Sequence, residues 1–124
     1  MKLIYLANPY TGSENVMEKR YEDAVGACAY LIANRFNVYS PIVHCHPIAK
    51  RYAGQEIGEQ ADSKFWMERN QWAIDKSDAI CVLCIDGWLE SPGVQFEIQQ
   101  FKLAKKDGCW LGPELGTLHW GYPI

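Results

Sequence analysis

The chain has 124 residues, enough for one domain with its own core, and a formal net charge of -3. That balance gives no basic field to draw a nucleic-acid polymer or an acidic lipid surface, and its apolar runs fall well short of the roughly 20 residues of a membrane span. The 48% hydrophobic and 22% charged content is ordinary for a soluble globular protein, and the apolar part of the N-terminus is too short for a signal peptide, so a cytoplasmic location is expected.

Taken in chain order, residues 2–7 form a short apolar run ended by Asn8-Pro9, which predicts a strand and a turn. Asn15 to Glu18 fits a capping box. Beyond it Tyr21, Ala24, Val25, Cys28, Leu31 and Ile32 recur at helical spacing, with the helix ending near Asn34. Residues 37–40 are a brief second strand stopped by Pro41. Residues 41–58, with their prolines, glycines and rings, read as a long, partly ordered loop. Phe65, Trp66, Trp72 and Ala73 mark a helix over 61–76, and 79–85 is the apolar central strand. Ser91 and Pro92 match a helix N-cap and first turn; Val94, Ile98 and Phe101 supply its core stripe and Gly108 its end. Residues 109–111 are a last short strand, and the tail to Ile124 has no clear period.

Strand and helix alternate throughout, which predicts one α/β domain spanning residues 1–124, with a parallel sheet in the order 2-1-3-4 and helices on both faces. Four strands is small for this class and leaves an edge open to completion by a partner subunit. The apolar rings of the tail, Trp120 and Tyr122 among them, point to an interface. A homodimer or higher oligomer is therefore expected, with contacts through the tail or the 61–76 helix. The alternative is a tail packed on its own sheet edge. Five cysteines at scattered positions argue against a disulfide framework. Cys81 and Cys84 form a C-x-x-C pair, but on a strand they point to opposite faces and read as small buried hydrophobes.

In such sheets ligands bind outside the carboxyl ends of the strands. The loops there hold the candidate site. Glu97 borders the stripe of Val94, Ile98 and Phe101 and lies within two turns of the helix N-terminus, where a negative charge is favoured. Position alone supports a nucleophile and a plain helix-start electrostatic role equally. In the first loop, backbone amides around Asn8, Pro9, Thr11 and Gly12 can hold a sugar or phosphate. Tyr10 in that loop reads either as a packing aromatic or as a hydroxyl over the site. His44 and His46 are two potential metal ligands without a third, so they read better as lining for a pocket. Asp86-Gly87 is a turn at the end of the central strand, followed by Trp88. Asp78 starts that strand and reads as structural.

The segments Met1 to Thr11, Ser40 to Pro47, and Asp78 to Glu97 with Gly87-Trp88-Leu89-Glu90-Ser91-Pro92-Gly93 together resemble the nucleoside 2-deoxyribosyltransferase superfamily, its small bacterial and phage members most of all. The resemblance implies a flavodoxin-like Rossmann fold, assembly as dimers or larger, and cleavage of a nucleoside or nucleotide N-glycosidic bond. It implies that Glu97 attacks the anomeric carbon to form a glycosyl ester, and that Tyr10 is similar to a first-loop tyrosine that orients the nucleophile. Ser91 stands where the family's transferases tend to have an aspartate and its deoxynucleotide hydrolases a serine touching the 5′-phosphate, which leans the substrate towards a monophosphate; Gly93, in the same segment, is expected to bind substrate with it. Asn70 stands where the family has an aspartate serving the leaving base, and an amide cannot donate an acid proton. Glu97-Ile98-Gln99-Gln100 replaces the usual glutamate-hydrophobic-glycine turn. The implied chemistry requires neither metal nor cofactor. A nucleotide-binding module without turnover is the rival reading.

Overall fold

The computed structural model describes residues 2–124. Its elements are β1 (Leu3–Ala7), α1 (Glu14–Ala33), β2 (Asn37–Tyr39), α2 (Pro41–Tyr52), α3 (Glu56–Gln60), α4 (Ser63–Lys76), β3 (Ala79–Leu83), α5 (Pro92–Leu103), β4 (Asp107–Leu111) and β5 (Leu118–Trp120). The sheet order is β2-β1-β3-β4-β5. The first four strands are parallel and β5 runs antiparallel on β4. This is the α/β, flavodoxin-like Rossmann architecture.

β1 and β3 are apolar along their whole length because helices cover both of their faces. Strand alternation divides their side chains. Ile4, Leu6, Cys81, Leu83, Cys109 and Leu111 pack with Ala24, Ala27 and Leu31 of α1 and Ile42 of α2. Tyr5, Ala7, Ile80 and Val82 pack on the other side with Ala73 and Ile74 of α4 and Val94, Ile98 and Phe101 of α5. Cys81 and Cys84 accordingly fall in different clusters. At the N-terminal end of the sheet, Asp78 fastens β1 to β3: its carboxylate accepts from Leu3 N at 2.8 Å and its N–H donates to Leu3 O at 2.8 Å. No helix among the described residues is long and apolar enough to cross a membrane.

Four local expectations are corrected. The cap of α1 is Ser13, whose Oγ accepts from Val16 N, and the Glu18 carboxylate turns to another partner. Residues 41–58 are mostly helical, not loop: Ser40 Oγ accepts from Val43 N at 3.1 Å, Pro41 opens α2, and α3 follows. The chain leaves α5 through Lys105, at φ 58, and Gly108 belongs to β4. The tail supplies the fifth strand, so the exposed edge of β4 is covered by its own chain.

Gly108 is what lets the tail dock. A Cβ there would lie 2.6 Å from Cδ1 and Cε1 of Tyr122, whose hydroxyl donates to Lys106 O at 2.6 Å. Gly121 N–H donates to Gly108 O beside it at 2.8 Å. Gly108→Ala is expected to cost about 1–3 kcal/mol in urea denaturation through overpacking, and far less in a Tyr122→Ala background. Equal costs in the two backgrounds would show that the ring contact is not the cause.

Candidate functional site

Glu97 lies in the second turn of α5, beside the Val94, Ile98 and Phe101 stripe. The residue as a whole is half-buried, yet its carboxyl reaches inward to Tyr5, which is only 1% exposed. Tyr5 donates its phenolic proton to Glu97 Oε2. Loss of water around the carboxyl raises its pKa from 4.5 to about 7, and the Tyr5 hydrogen bond opposes part of that rise. Burial, and then the charge and hydrogen bond of Glu97, push the Tyr5 phenol far up, so Tyr5 keeps its proton and acts as donor.

Tyr5 also sets the surroundings. Its ring centroid is 5.6 Å from that of Phe101 and 6.3 Å from that of Tyr39. Tyr39 donates to Asn70 Oδ1 at 2.8 Å, and Asn70 Nδ2 donates to Trp66 O at 2.8 Å and meets Cys45 Sγ at 3.6 Å. Burial raises the Tyr39 phenol to about 12, with Cys45 adding to the rise. The Cys45 thiol is pushed up by burial, against the pull of its Asn70 contact. Cys45 adds a small part to the rise at Tyr5, Tyr10 and Tyr39 alike; its direct contact is with Asn70.

A second chain of contacts adjoins the first. Tyr10 Oη is 2.6 Å from His46 Nδ1, and His46 Nε2 is 2.9 Å from Glu18 Oε2, to which Lys50 Nζ also points at 3.5 Å. Tyr21 stacks on the buried imidazole at 4.4 Å and 22°. The family model of a domain of unknown function, DUF1937, matches residues 2–110. The chain belongs to this family. No curated protein matches it. The matched span runs from β1 into β4 and takes in all the side chains of both networks.

The structure separates two residues that the resemblance joins. Tyr10 meets His46, and the phenol on Glu97 is that of Tyr5. Tyr10 lies beyond the end of β1, where folding of α2 brings His46 to it. Tyr5 is inside the strand, on the face that α5 crosses. Both ring nitrogens of His46 are engaged within the fold, while His44 is exposed, 5.8 Å from the Tyr39 ring. Asn8 is buried; its Nδ2 donates to Pro9 O at 3.1 Å and Arg20 O at 3.3 Å, and its Oδ1 has no partner among the described residues. Pro9 is buried at the start of the first loop, next to Asn8. Thr11 and Gly12 are exposed at the loop tip, and a Cβ on Gly12 would strike Val16 at 2.7 Å. Ser91 caps α5 by accepting from Val94 N at 3.2 Å, with Gly93 exposed in the first turn. Trp88 packs against the α4–α5 side of the core.

Arg20 was not foreseen. Its guanidinium donates to Thr11 O at 3.0 Å and Asp86 O at 3.2 Å, which ties the first loop to the turn after β3. Gly87, at φ 91, must lack a Cβ, which would sit 2.7 Å from Arg20 Nη2. Tyr5, Tyr39, Cys45 and Glu18 were also missed. The usable signal was the parity of β1, which sends Tyr5 and Ala7 to the face opposite Ile4 and Leu6. A groove of about 420 Å³ lies beside α1 and α2 and is lined by Cys28, Ile32, Val38, Tyr39, Ser40, Val43 and His44. It holds no carboxylate, so the acid chemistry at Glu97 is set apart from that opening, and the paired titratable groups define the site better than the volume does.

Between pH 4.5 and about 7 the folded state holds a proton on Glu97 that the unfolded chain has released. The contribution of this residue to stability therefore falls as pH rises through that window. Glu97→Gln, which stays neutral, should gain on the parent by up to a few kcal/mol above pH ~7 and match it near pH ~4. Thermal melts at the two pH values check this, and a constant offset would refute a desolvated carboxyl.

Proposed function

We propose that this chain cleaves or transfers the N-glycosidic bond of a deoxynucleoside 5′-monophosphate or nucleoside, with Glu97 as the nucleophile. The observation that carries the reading is a carboxyl desolvated against the sheet and held by the Tyr5 hydroxyl. A carboxylate with little water around it is a strong base towards carbon, and an oxocarbenium-like centre is what it would capture, as in retaining glycosidases. Tyr5 takes the orienting role that the resemblance gives to Tyr10. Ser91, Gly93 and the loop from Asn8 to Gly12, braced by Arg20, would hold sugar and phosphate at the helix start. The chemistry needs no metal or cofactor, and a nucleotide substrate fits a cytoplasmic protein.

Incubation with a panel of deoxynucleotides should release free base, detected by chromatography. Glu97→Ala should reduce release by ~10³ or more; release that survives the substitution would remove Glu97 as nucleophile. Because the ionised carboxylate attacks, the rate should climb as pH rises through about 7. In Tyr5→Phe that limb should move to higher pH, since the lost hydrogen bond favours the ionised form.

One observation favours the rival, a nucleotide-binding module without turnover: Asn70 is an amide held by Tyr39 and Trp66, not an acid. A nucleotide that raises the melting temperature with no base released would support it. Assembly as a homodimer or larger is part of the proposal. α4 leaves Met67 and Trp72 exposed, and the tail leaves Trp120 exposed; exposed rings of this kind favour contact between copies. Light scattering at micromolar concentration should give at least twice the chain mass, and a monomer mass would refute it.

A further inference from the structure

Between the carboxyl ends of β1 and β3 the strand order reverses: β1 leads through α1 to β2 on one side, and β3 through α5 to β4 on the other. Ligands of open α/β sheets bind in the crevice at such a point. A cation stands there. From α1, the half-buried Arg20 donates to Thr11 O in the first loop at 3.0 Å and to Asp86 O in the turn after β3 at 3.2 Å. The turn is shaped to admit it, since a Cβ on Gly87 would lie 2.7 Å from Nη2.

A brace between two neutral carbonyls does not need a charge. Lys19, the other basic residue of α1, is paired with Asp23 at 3.0 Å, and Lys50 on α2 with Glu18 at 3.5 Å. Arg20 has no acidic partner among the described residues, and Asp86 gives it a carbonyl instead of its carboxylate. A guanidinium carries five N–H donors in a fixed fork, and the two carbonyls leave donors to spare. Such a group matches an oxyanion. Two features of the same loop agree. The N-terminus of the 20-residue α1 opens onto it, capped by Ser13, and its dipole favours an anion. Asn8, 5% exposed, turns Nδ2 to the carbonyls of Pro9 and Arg20, which fixes the amide's orientation and leaves the buried Oδ1 without a donor among the described residues. An acceptor of that kind calls for a hydroxyl, which a sugar phosphate brings and a bare oxyanion lacks.

We propose that Arg20 is the residue that reads the phosphate of the ligand, so that this crevice takes a sugar 5′-phosphate in preference to a free nucleoside. Arg20 then has two tasks. Its bonds to Thr11 and Asp86 hold the two loops together, and its remaining donors bind the phosphate. The inference rests on the glycosidase reading only for the base that the sugar carries; the phosphate seat does not involve Glu97.

Calorimetric titration of the whole chain with the common deoxynucleoside 5′-monophosphates and with the matching nucleosides separates the two tasks. The parent should bind a monophosphate at least about tenfold more tightly than its nucleoside, as a charge-assisted pair warrants. Arg20→Gln should bring that ratio close to one, with the loss falling on the monophosphate. Arg20→Lys, which keeps the charge without the fork, should retain part of the ratio. A residue that only braced the loops would weaken both ligands together. An Arg20→Gln protein that loses both alike, or keeps the parent's ratio, therefore overturns the inference. So does a parent that binds the two ligands equally well, and each of these results leaves Glu97 standing as nucleophile. A parent that binds the monophosphate through Arg20 but releases no base overturns the glycosidase reading and leaves the phosphate seat. A parent that binds neither ligand overturns both.

Discussion

The placement of one acid group against the sheet is the constraint on which the α4–α5 face is arranged. A carboxyl taken out of water must stay protonated or find a donor, and Tyr5 is the donor within reach. That requirement explains why a phenol stands in the middle of an otherwise aliphatic β1. It also explains the company the phenol keeps. Phe101 and Tyr39 wall it in, and the hydroxyl of Tyr39 is passed on to Asn70. The apolar β1–β3 pairing supplies the rigid floor, and Asp78 secures it at the far end. The acid is thus held by strands and helices instead of by loops, which suits a group whose position must be accurate.

The architecture was legible in the sequence because its signals are local and redundant. Apolar runs alternate with helical periods, and Ser91-Pro92 announces α5. The same serine-proline pair at Ser40-Pro41 announces α2, yet the His, Cys and Pro residues after it resemble loop composition, and Pro47 inside the helix strengthens that impression. The tail was opaque for another reason. Three residues of strand are too few to show a period, and the docking of Tyr122 depends on a glycine in β4 that reads equally well as a helix stop.

Of the candidate site, the position of Glu97 beside the core stripe was readable from helical spacing. Its partner was not. A tyrosine in an apolar strand reads as packing, whereas one in a loop draws attention, so Tyr10 stood out and Tyr5 did not. Strand parity distinguishes them only once it is known which helix crosses which face. Glu18 and Arg20 on α1 lie far in the chain from His46 on α2, and the meeting of Glu18 with His46, and of His46 with Tyr10, is a product of the α1–α2 packing, which leaves no trace in local pattern.

The short strand at the end of the chain has a consequence for how copies of this protein can meet. A parallel sheet ending at β4 would present a five-residue row of open backbone groups, long enough to template another strand. With β5 laid on it, both outer strands, β2 and β5, are three residues long. Neither offers much backbone for a neighbouring molecule to zip onto, so the sheet is self-terminating. Growth by edge-to-edge stacking into ribbons is disfavoured at both ends, and a route of association that keeps the particle closed and finite runs through side-chain surfaces instead of the backbone ladder.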